Sequence, residues 1–260
     1  MKILLTGYKG FIGGNMLPIL EKEHEVDKID WGDDLPNLSK YDWVIHLGAN
    51  SSTVETNLDL IMNQNLFSSI RILEECIQHG VNLQYSSSAS VYGQGKEFRE
   101  DSPCSPLNYY ALSKYLFERY IESRDTSNII VQGFRYFNVH GPNEEKKGKQ
   151  ASPFTQFRKQ AVINKEIVLW KGSENFKRDF VHVDDVINYH LQFLNQVKES
   201  GVWNIGTGKT KSFFDIAWEI FLEERVPIRY IDMPEEVKPH YQTYTCADLT
   251  KLKKTLNDVS

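Results

Sequence analysis

A short apolar run, Ile3-Leu4-Leu5, leads directly into Gly7, Gly10 and Gly13, and a helix-like stretch begins at Phe11. A strand, a tight glycine turn and a helix in that order constrain a chain strongly, because together they open a parallel sheet and leave room for a pyrophosphate. Backbone N–H groups and the dipole at the start of such a helix favour an anion there. The alternation continues: segments 2–6, 25–30, 43–47, 83–86 and 129–134 read as strands, with helices at 11–23, 58–79 and 109–124 between them. This pattern predicts an α/β fold, a Rossmann-like doubly wound parallel sheet with helices on both faces. Pro18 predicts a kink or an early end in the first helix, since it lacks an N–H and clashes with the preceding turn.

Beyond Gly133 the alternation becomes irregular. A polar loop at 143–150 precedes a helix at 153–164, and a helix near 184–196, a strand at 202–205 and a helix near 212–224 follow. These elements are interleaved rather than appended. The expected division is a dinucleotide-binding unit, 1–140 with about 179–204, and a smaller substrate lobe, 141–178 with 205–260. A chain of 260 residues, 40% hydrophobic and 25% charged, suits one large domain or two intimate lobes. A net charge of −5 without a long basic run argues against a nucleic-acid partner and for nucleotides. Cys76, Cys104 and Cys246 lie far apart without CxxC spacing, so neither disulfides nor zinc are expected, and a reducing cytoplasm fits. The N-terminus enters a strand directly, and no apolar run approaches the roughly 18 residues of a membrane span, so a cytoplasmic protein with no membrane partner is expected.

Two further segments follow the glycine turn in order: Tyr85-Ser86-Ser87-Ser88-Ala89-Ser90-Val91-Tyr92-Gly93 and Tyr110-Ala111-Leu112-Ser113-Lys114. Alone, the glycine spacing is compatible with an ordinary turn and helix. With these segments the chain resembles the extended short-chain dehydrogenase/reductases. Within that superfamily it is most similar to the ADP-heptose 6-epimerase family, through Phe134-Arg135-Tyr136-Phe137-Asn138-Val139, Gly172 to Phe180, and Ala247-Asp248-Leu249-Thr250. The resemblance spans nearly the whole chain, with departures. The connection from Asp30 to Trp43 is abbreviated, the C-terminus is trimmed, His140 stands where the family generally has Tyr, and Asp184 replaces a small residue.

The resemblance implies a nucleotide-diphospho-sugar epimerase that oxidises and re-reduces one sugar carbon with tightly bound NAD or NADP. Tyr110 and Lys114, at i and i+4, share a helix face. Tyr110 would be the general base, Ser88 would donate to the reacting oxygen, and Lys114 would hold the nicotinamide ribose. Lowering a tyrosine pKa from about 10 to about 7 requires roughly 4 kcal/mol of preferential phenolate stabilisation, assigned to Lys114 and the nicotinamide charge together. A second acid/base falls on Lys147, or on Lys146 if the register slips by one. Gly7, Gly10, Phe11, Ile12 and Gly13, then Leu47, Gly48 and Ala49 after the third strand, would contact the dinucleotide. Asn65 would fix backbone near it, or is simply a polar helix residue.

Asp30, ending the second strand, favours NAD by repelling a 2′-phosphate. Lys9 in the glycine turn pulls towards NADP, Trp31 would pack beside the adenine, and the balance leans to NAD. The substrate would meet Ser88, Asn138, Lys147, Ser152, Arg178 and Tyr241. Asn138 and Arg178 would bind the diphosphate, unless Arg178 pairs with Asp179 or Asp184. His46 reads as a satisfied core residue, and Cys76 with His79 makes no metal site without two more ligands. Helices 58–79 and 109–124 are candidates for a homo-oligomer interface. The alternatives are a UDP-hexose 4-epimerase, with no essential Lys147, and a catalytically silent nucleotide-binding protein. Ser88-Ala89-Ser90 disfavours a 4,6-dehydratase.

Overall fold

The computed structural model describes residues 1–235 and 242–259. The first half alternates as the sequence pattern predicts: β1 (Lys2–Thr6), α1 (Phe11–Leu20), β2 (Glu25–Ile29), β3 (Trp43–His46), α2 (Leu58–Ile61), α3 (Ser68–His79), β4 (Asn82–Ser88), α4 (Tyr109–Glu122) and β5 (Val131–Tyr136). The second half contains β6 (Asn138–His140), α5 (Pro153–Asn164), β7 (Ile167–Trp170), β8 (Lys177–His182), α6 (Val183–Gln196), β9 (Gly201–Ile205), β10 (Thr210–Ser212), α7 (Phe213–Glu224), β11 (Ile228–Ile231), β12 (Tyr244–Thr245) and α8 (Thr250–Asn257).

Among the described residues, parallel strands form one sheet in the order β2-β1-β3-β4-β5-β9. The period of two in β1 explains how both faces are filled. Ile3 and Leu5 pack with Met16 and Leu20 of α1 and with Val186, Ile187 and Phe193 of α6. Leu4 points the other way, towards Ile72, Leu73 and Cys76 of α3 and Phe117 of α4. The order reverses at β1, which pairs with β2 on one side and β3 on the other. Ligands of such sheets bind in the crevice beyond the strand ends at that point.

Three local outcomes shape the site. Pro18 lies inside α1, which ends two residues later at Leu20. β4 reaches Ser88, two residues beyond the expected end, because β5 extends to Tyr136 and pairs with it there. Between α2 and α3 the residues Met62–Phe67 form a π-helical turn. Its freed carbonyls are taken by side chains: Ser68 Oγ donates to Gln64 O at 2.6 Å and Ser69 Oγ to Asn65 O at 2.5 Å.

The smaller lobe has its own apolar centre. Phe157 and Ala161 of α5, Ile167 and Leu169 of β7, and Ile216, Ala217 and Ile220 of α7 pack together beside the β7–β11 pair. β8 pairs with β6, β10 and β12 in a second small sheet, while β9 returns to the main one.

Two histidines lie in the main core. His46 is held between Thr6 Oγ1 at 2.7 Å and Ser69 Oγ at 2.8 Å, and His190 between Tyr136 Oη at 2.5 Å and Gln84 Oε1 at 2.7 Å. Burial, aided at His46 by the charge of Lys114, pushes both from 6.5 down to about 3. Below pH 6.5 the unfolded chain therefore binds more protons than the folded one, and stability falls with pH until about 3. With a slope that approaches about 1.4 kcal/mol per group per pH unit below 6.5, the two together should remove about 4 kcal/mol between pH 7 and pH 5. Urea unfolding at pH 7 and pH 5 measures this fall. In the double variant His46→Gln, His190→Gln most of the pH dependence should disappear, whatever its absolute stability.

Candidate active site

The glycine turn is built by close backbone approach. Gly7 has φ +75°, its N–H donates to Ile29 O at 2.9 Å, and Gly10 N–H donates to Gly7 O at 3.0 Å. A Cβ on Gly7 would sit 2.6 Å from Gly48 N, and one on Gly13 would sit 2.3 Å from Gly7 O. Gly10 is the N-cap of α1, with no side-chain capping bond and no acidic residue in the first turn. A bare backbone cradle at a helix N-terminus fits the pyrophosphate of a dinucleotide.

The loop after β3 is fastened to this turn. Gly48 N–H donates to Thr6 Oγ1 at 3.1 Å, beside His46. Asn65, 2% exposed in the π-helical turn, accepts from Asn50 N–H at 2.7 Å and donates to Asn50 O at 2.9 Å and Ser113 Oγ at 3.1 Å. It thus joins the β3 loop to α4, which is a backbone-fixing arrangement rather than that of a solvated helix residue. On one side of the turn lies a cavity of about 670 Å³ lined by Gly7, Asp30, Trp31, Gly48 and Ala49. Asp30 accepts from Lys9 N–H at 3.0 Å and Trp31 N–H at 2.7 Å, while the Lys9 ammonium lies 5.4 Å from the Tyr8 ring centre. Trp31 is 63% exposed at the rim.

On the other side a cavity of about 420 Å³ brings together Ser88, Tyr110, Lys114, Asn138, Lys147 and Ser152. Gly7, Gly10, Phe11, Ile12 and Gly13, with Leu47 and Ala49, line the same space. Ser88 stands at the end of β4, where its Oγ accepts from Ser90 N–H at 3.2 Å and Ser90 Oγ at 2.9 Å. Asn108 caps α4 by accepting from Ala111 N–H at 2.8 Å, which starts the helix just before Tyr110. Lys114 is 5% exposed, and its Nζ donates to Ser86 O at 2.9 Å. Burial pushes it from 10.5 to about 8, against the opposing pull of Glu118.

Burial also raises the Tyr110 phenol, against a lowering hydrogen bond to Ser88. The lowering expected of Lys114 and the nicotinamide charge together belongs to the cofactor-bound site; the polypeptide alone leaves the phenol raised. Lys114 Nζ lies 6.0 Å from the Tyr110 ring centre and points at the β4 backbone, so the polypeptide's own charges do not outweigh desolvation.

Lys147 and Lys146 separate cleanly. Lys147 Nζ lies 5.2 Å from the Phe11 ring centre and lines the cavity, whereas Lys146 reaches towards Gly14 on α1. Asn138 Nδ2 donates to Asp179 O at 3.1 Å. Arg178 on β8 is 8% exposed; it donates to Lys177 O at 3.0 Å and to Gln242 O, with Phe213 5.8 Å from its guanidinium. The carboxylates considered as its partners are engaged elsewhere. Asp179 accepts from Thr207, Gly208 and Ala247, and Asp184 meets His182. Tyr241 lies outside the described residues.

Several supporting groups were not anticipated. Glu144 is fully buried beside Lys147. Behind β4, Ser87 Oγ donates to Glu118, which pairs with Arg135 at 2.6 Å, and Arg135 donates to Tyr92 Oη at 3.0 Å. Arg135 appears within Phe134-Arg135-Tyr136, but nothing in its spacing to Glu118 announces the pair. A separate hollow of about 700 Å³ between α4, β9 and α8 is lined by charges that pair with one another, such as Arg99 with Asp101. Among the described residues, no helix is long and apolar enough to cross a membrane, and no group of three or more His, Cys, Asp or Glu is placed to hold a metal ion.

The sequence pattern of the NAD dependent epimerase/dehydratase family matches residues 3–206. An ADP-L-glycero-D-manno-heptose-6-epimerase of Brachyspira hyodysenteriae is 36% identical over 96% of this chain and 90% of the relative. The crystal structure of the ADP-L-glycero-D-manno-heptose-6-epimerase of Helicobacter pylori has a TM-score of 0.87 and 27% identity, covering 98% of this chain and 90% of that one. A UDP-N-acetylglucosamine 4-epimerase of Methanobrevibacter ruminantium shares the fold at a TM-score of 0.87 and 21% identity, covering 99% and 96%.

Proposed function

The chain belongs to the NAD dependent epimerase/dehydratase family, and from that premise we propose that it inverts C6 of an ADP-linked glycero-manno-heptose. The observation that carries this reading is the presence of Lys147 in the same cavity as Ser88, Tyr110 and Lys114. Inversion needs proton transfer on both faces of the reacting carbon. Tyr110 takes the hydroxyl proton on one face, Ser88 holds the oxygen, and Lys147 supplies a proton when the carbonyl is reduced from the other face. NAD bound at the glycine turn would supply the acceptor and donor of the hydride at the sugar carbon, and its positive ring would favour the Tyr110 phenolate that burial alone disfavours.

We propose NAD rather than NADP, supported by the Asp30 carboxylate at the end of β2, which would repel a 2′-phosphate. Residues 1–140 with 179–204 would hold the dinucleotide, and 141–178 with 205–260 the nucleotide sugar. Asn138 and Ser152 would meet the sugar nucleotide from the cavity wall, and Arg178 and Tyr241 are assigned to it from the small lobe. Exposed Leu58, Leu60, Phe67 and Tyr109 on the helices flanking α3 support a homo-oligomer formed there. Free thiols at Cys76, Cys104 and Cys246 fit a cytoplasmic location.

The test incubates purified protein separately with ADP-D-glycero-D-manno-heptose and with UDP-, GDP- and dTDP-hexoses, and follows each carbon by NMR. Inversion at C6 of the heptose alone, with NAD released on denaturation, is the expected result. Inversion of a hexose at C4 with the heptose unchanged would replace the substrate, and extraction of NADP would replace the cofactor. No turnover of any sugar, with dinucleotide still bound, would favour a silent binding protein.

A further inference from the structure

The polar segment 143–150 reads in sequence as a solvated loop, yet one of its charges lies fully inside the protein. Glu144 has 0% exposure, while its neighbours Glu145 and Lys146 are exposed. Burying a carboxylate is strongly unfavourable unless donors surround it. Here both oxygens are met. Oε1 accepts from Ser152 N–H at 2.7 Å and Lys147 Nζ at 3.1 Å, and Oε2 accepts from Ser152 Oγ at 2.6 Å and Thr155 Oγ1 at 2.7 Å. Three neutral donors from the start of α5 immobilise the carboxylate, and the remaining one is the ammonium that lines the cavity.

The segment is also docked on α1, the helix of the glycine turn. Asn15 Nδ2 donates to Pro142 O at 2.9 Å, and Asn143, at φ 66°, donates from Nδ2 to Asn15 Oδ1 at 3.0 Å. An exposed Lys–Glu pair holds its partners loosely. A buried, triply anchored carboxylate instead fixes the end of a long, flexible lysine.

We infer that Glu144 is a positioning residue: it holds the Lys147 ammonium at the reacting carbon and ties it to the start of α5. This rests on the reading of Lys147 given under the proposed function. The two faces of the carbon make the role measurable. Oxidation of one C6 epimer passes its hydroxyl proton to the Tyr110 phenolate, and oxidation of the other passes it to Lys147 as the neutral amine, which becomes the ammonium paired with Glu144. Loosening Lys147 should therefore slow the second oxidation and spare the first, whereas general damage to the fold slows both.

The experiment loads enzyme with NAD and follows single-turnover reduction of the bound dinucleotide, by its absorbance, with each C6 epimer of ADP-glycero-manno-heptose in turn. Glu144→Gln should slow one epimer about tenfold or more and the other less than about twofold. A readout independent of activity is acylation of Lys147 relative to Lys146, measured on peptides by mass spectrometry. The ratio should rise several-fold in Glu144→Gln, since the amide carries no charge to hold the ammonium.

Equal slowing of both epimers, or an unchanged labelling ratio, would overturn the inference. Lys147→Ala is the control on which the reading depends. If it slows both epimers equally, the assignment of Lys147 itself falls; if it is asymmetric while Glu144→Gln is not, only the role of Glu144 falls. Should Glu144→Gln fail to retain dinucleotide, Thr155→Val, which removes one anchor without touching Lys147, decides by the same asymmetry at about threefold.

Discussion

Replacing Tyr110 by Phe is expected to slow turnover about a thousandfold, as loss of a general acid–base does, while the purified protein keeps its dinucleotide. The substitution removes one oxygen and leaves the ring in place. That oxygen lies near Ser88, at the end of β4, where burial favours the neutral phenol. Lys114, four residues on, anchors to Ser86 O, so its position does not depend on the Tyr110 hydroxyl. Steady-state rates, together with mass spectrometry of the dinucleotide released on denaturation, separate chemistry from binding. A rate within tenfold of wild type, with cofactor retained, would remove Tyr110 from its role as base and leave proton transfer to another group.

The second large effect is expected from Gly13→Ala, through space rather than chemistry. The added methyl would lie 2.3 Å from Gly7 O and 2.9 Å from Gly7 C, and both are backbone atoms held in the turn. Forced overpacking costs about 1–3 kcal/mol, so dinucleotide affinity should fall by one to two orders of magnitude, to about a hundredth at the upper limit. Gly14→Ala is the internal control. Its Cβ would come no closer than 3.4 Å to Lys146 Nζ and Tyr8 O, an ordinary contact, and Ala suits a helix better than Gly. Equilibrium dialysis of NAD against both variants compares them, and equal affinities would show that the turn tolerates a side chain at position 13.

What could be read in advance follows from local rules. The period of two in Ile3-Leu4-Leu5 already divides the core into the two clusters seen on either face of β1. The glycine turn and the i, i+4 pair of Tyr110 and Lys114 are short-range patterns, and the fold carries them to one cavity unchanged. The contents of that cavity's second wall were less legible. Nothing in the polar loop at 143–150 singles out Glu144, because its burial depends on Ser152 and Thr155 arriving from the next helix. Arg178 was assigned a role from motif position, and its guanidinium meets Gln242 O and Phe213, far along the chain, which no local pattern foretells. The Glu118–Arg135 pair joins a helix to a strand, and only the finished sheet brings them together.

Met62–Phe67 makes a regular-looking apolar stretch into two helices that are out of phase. A π-helical turn holds about one residue more than an α-helical one, so residues before and after it differ by about 100° from a continuous ladder. Asn65, which meets Asn50 and Ser113, keeps the helical spacings of four, seven and eleven to Ser69, Ile72 and Cys76, so the offset turns α2 and the residues before it against that inward face. A chain shortened by one residue there would have the better helix, with α2 and the loop before it turned by about 100° against α3. Selection for stability alone would favour such a deletion, so the irregular turn marks a place where regularity and the dinucleotide site are alternatives.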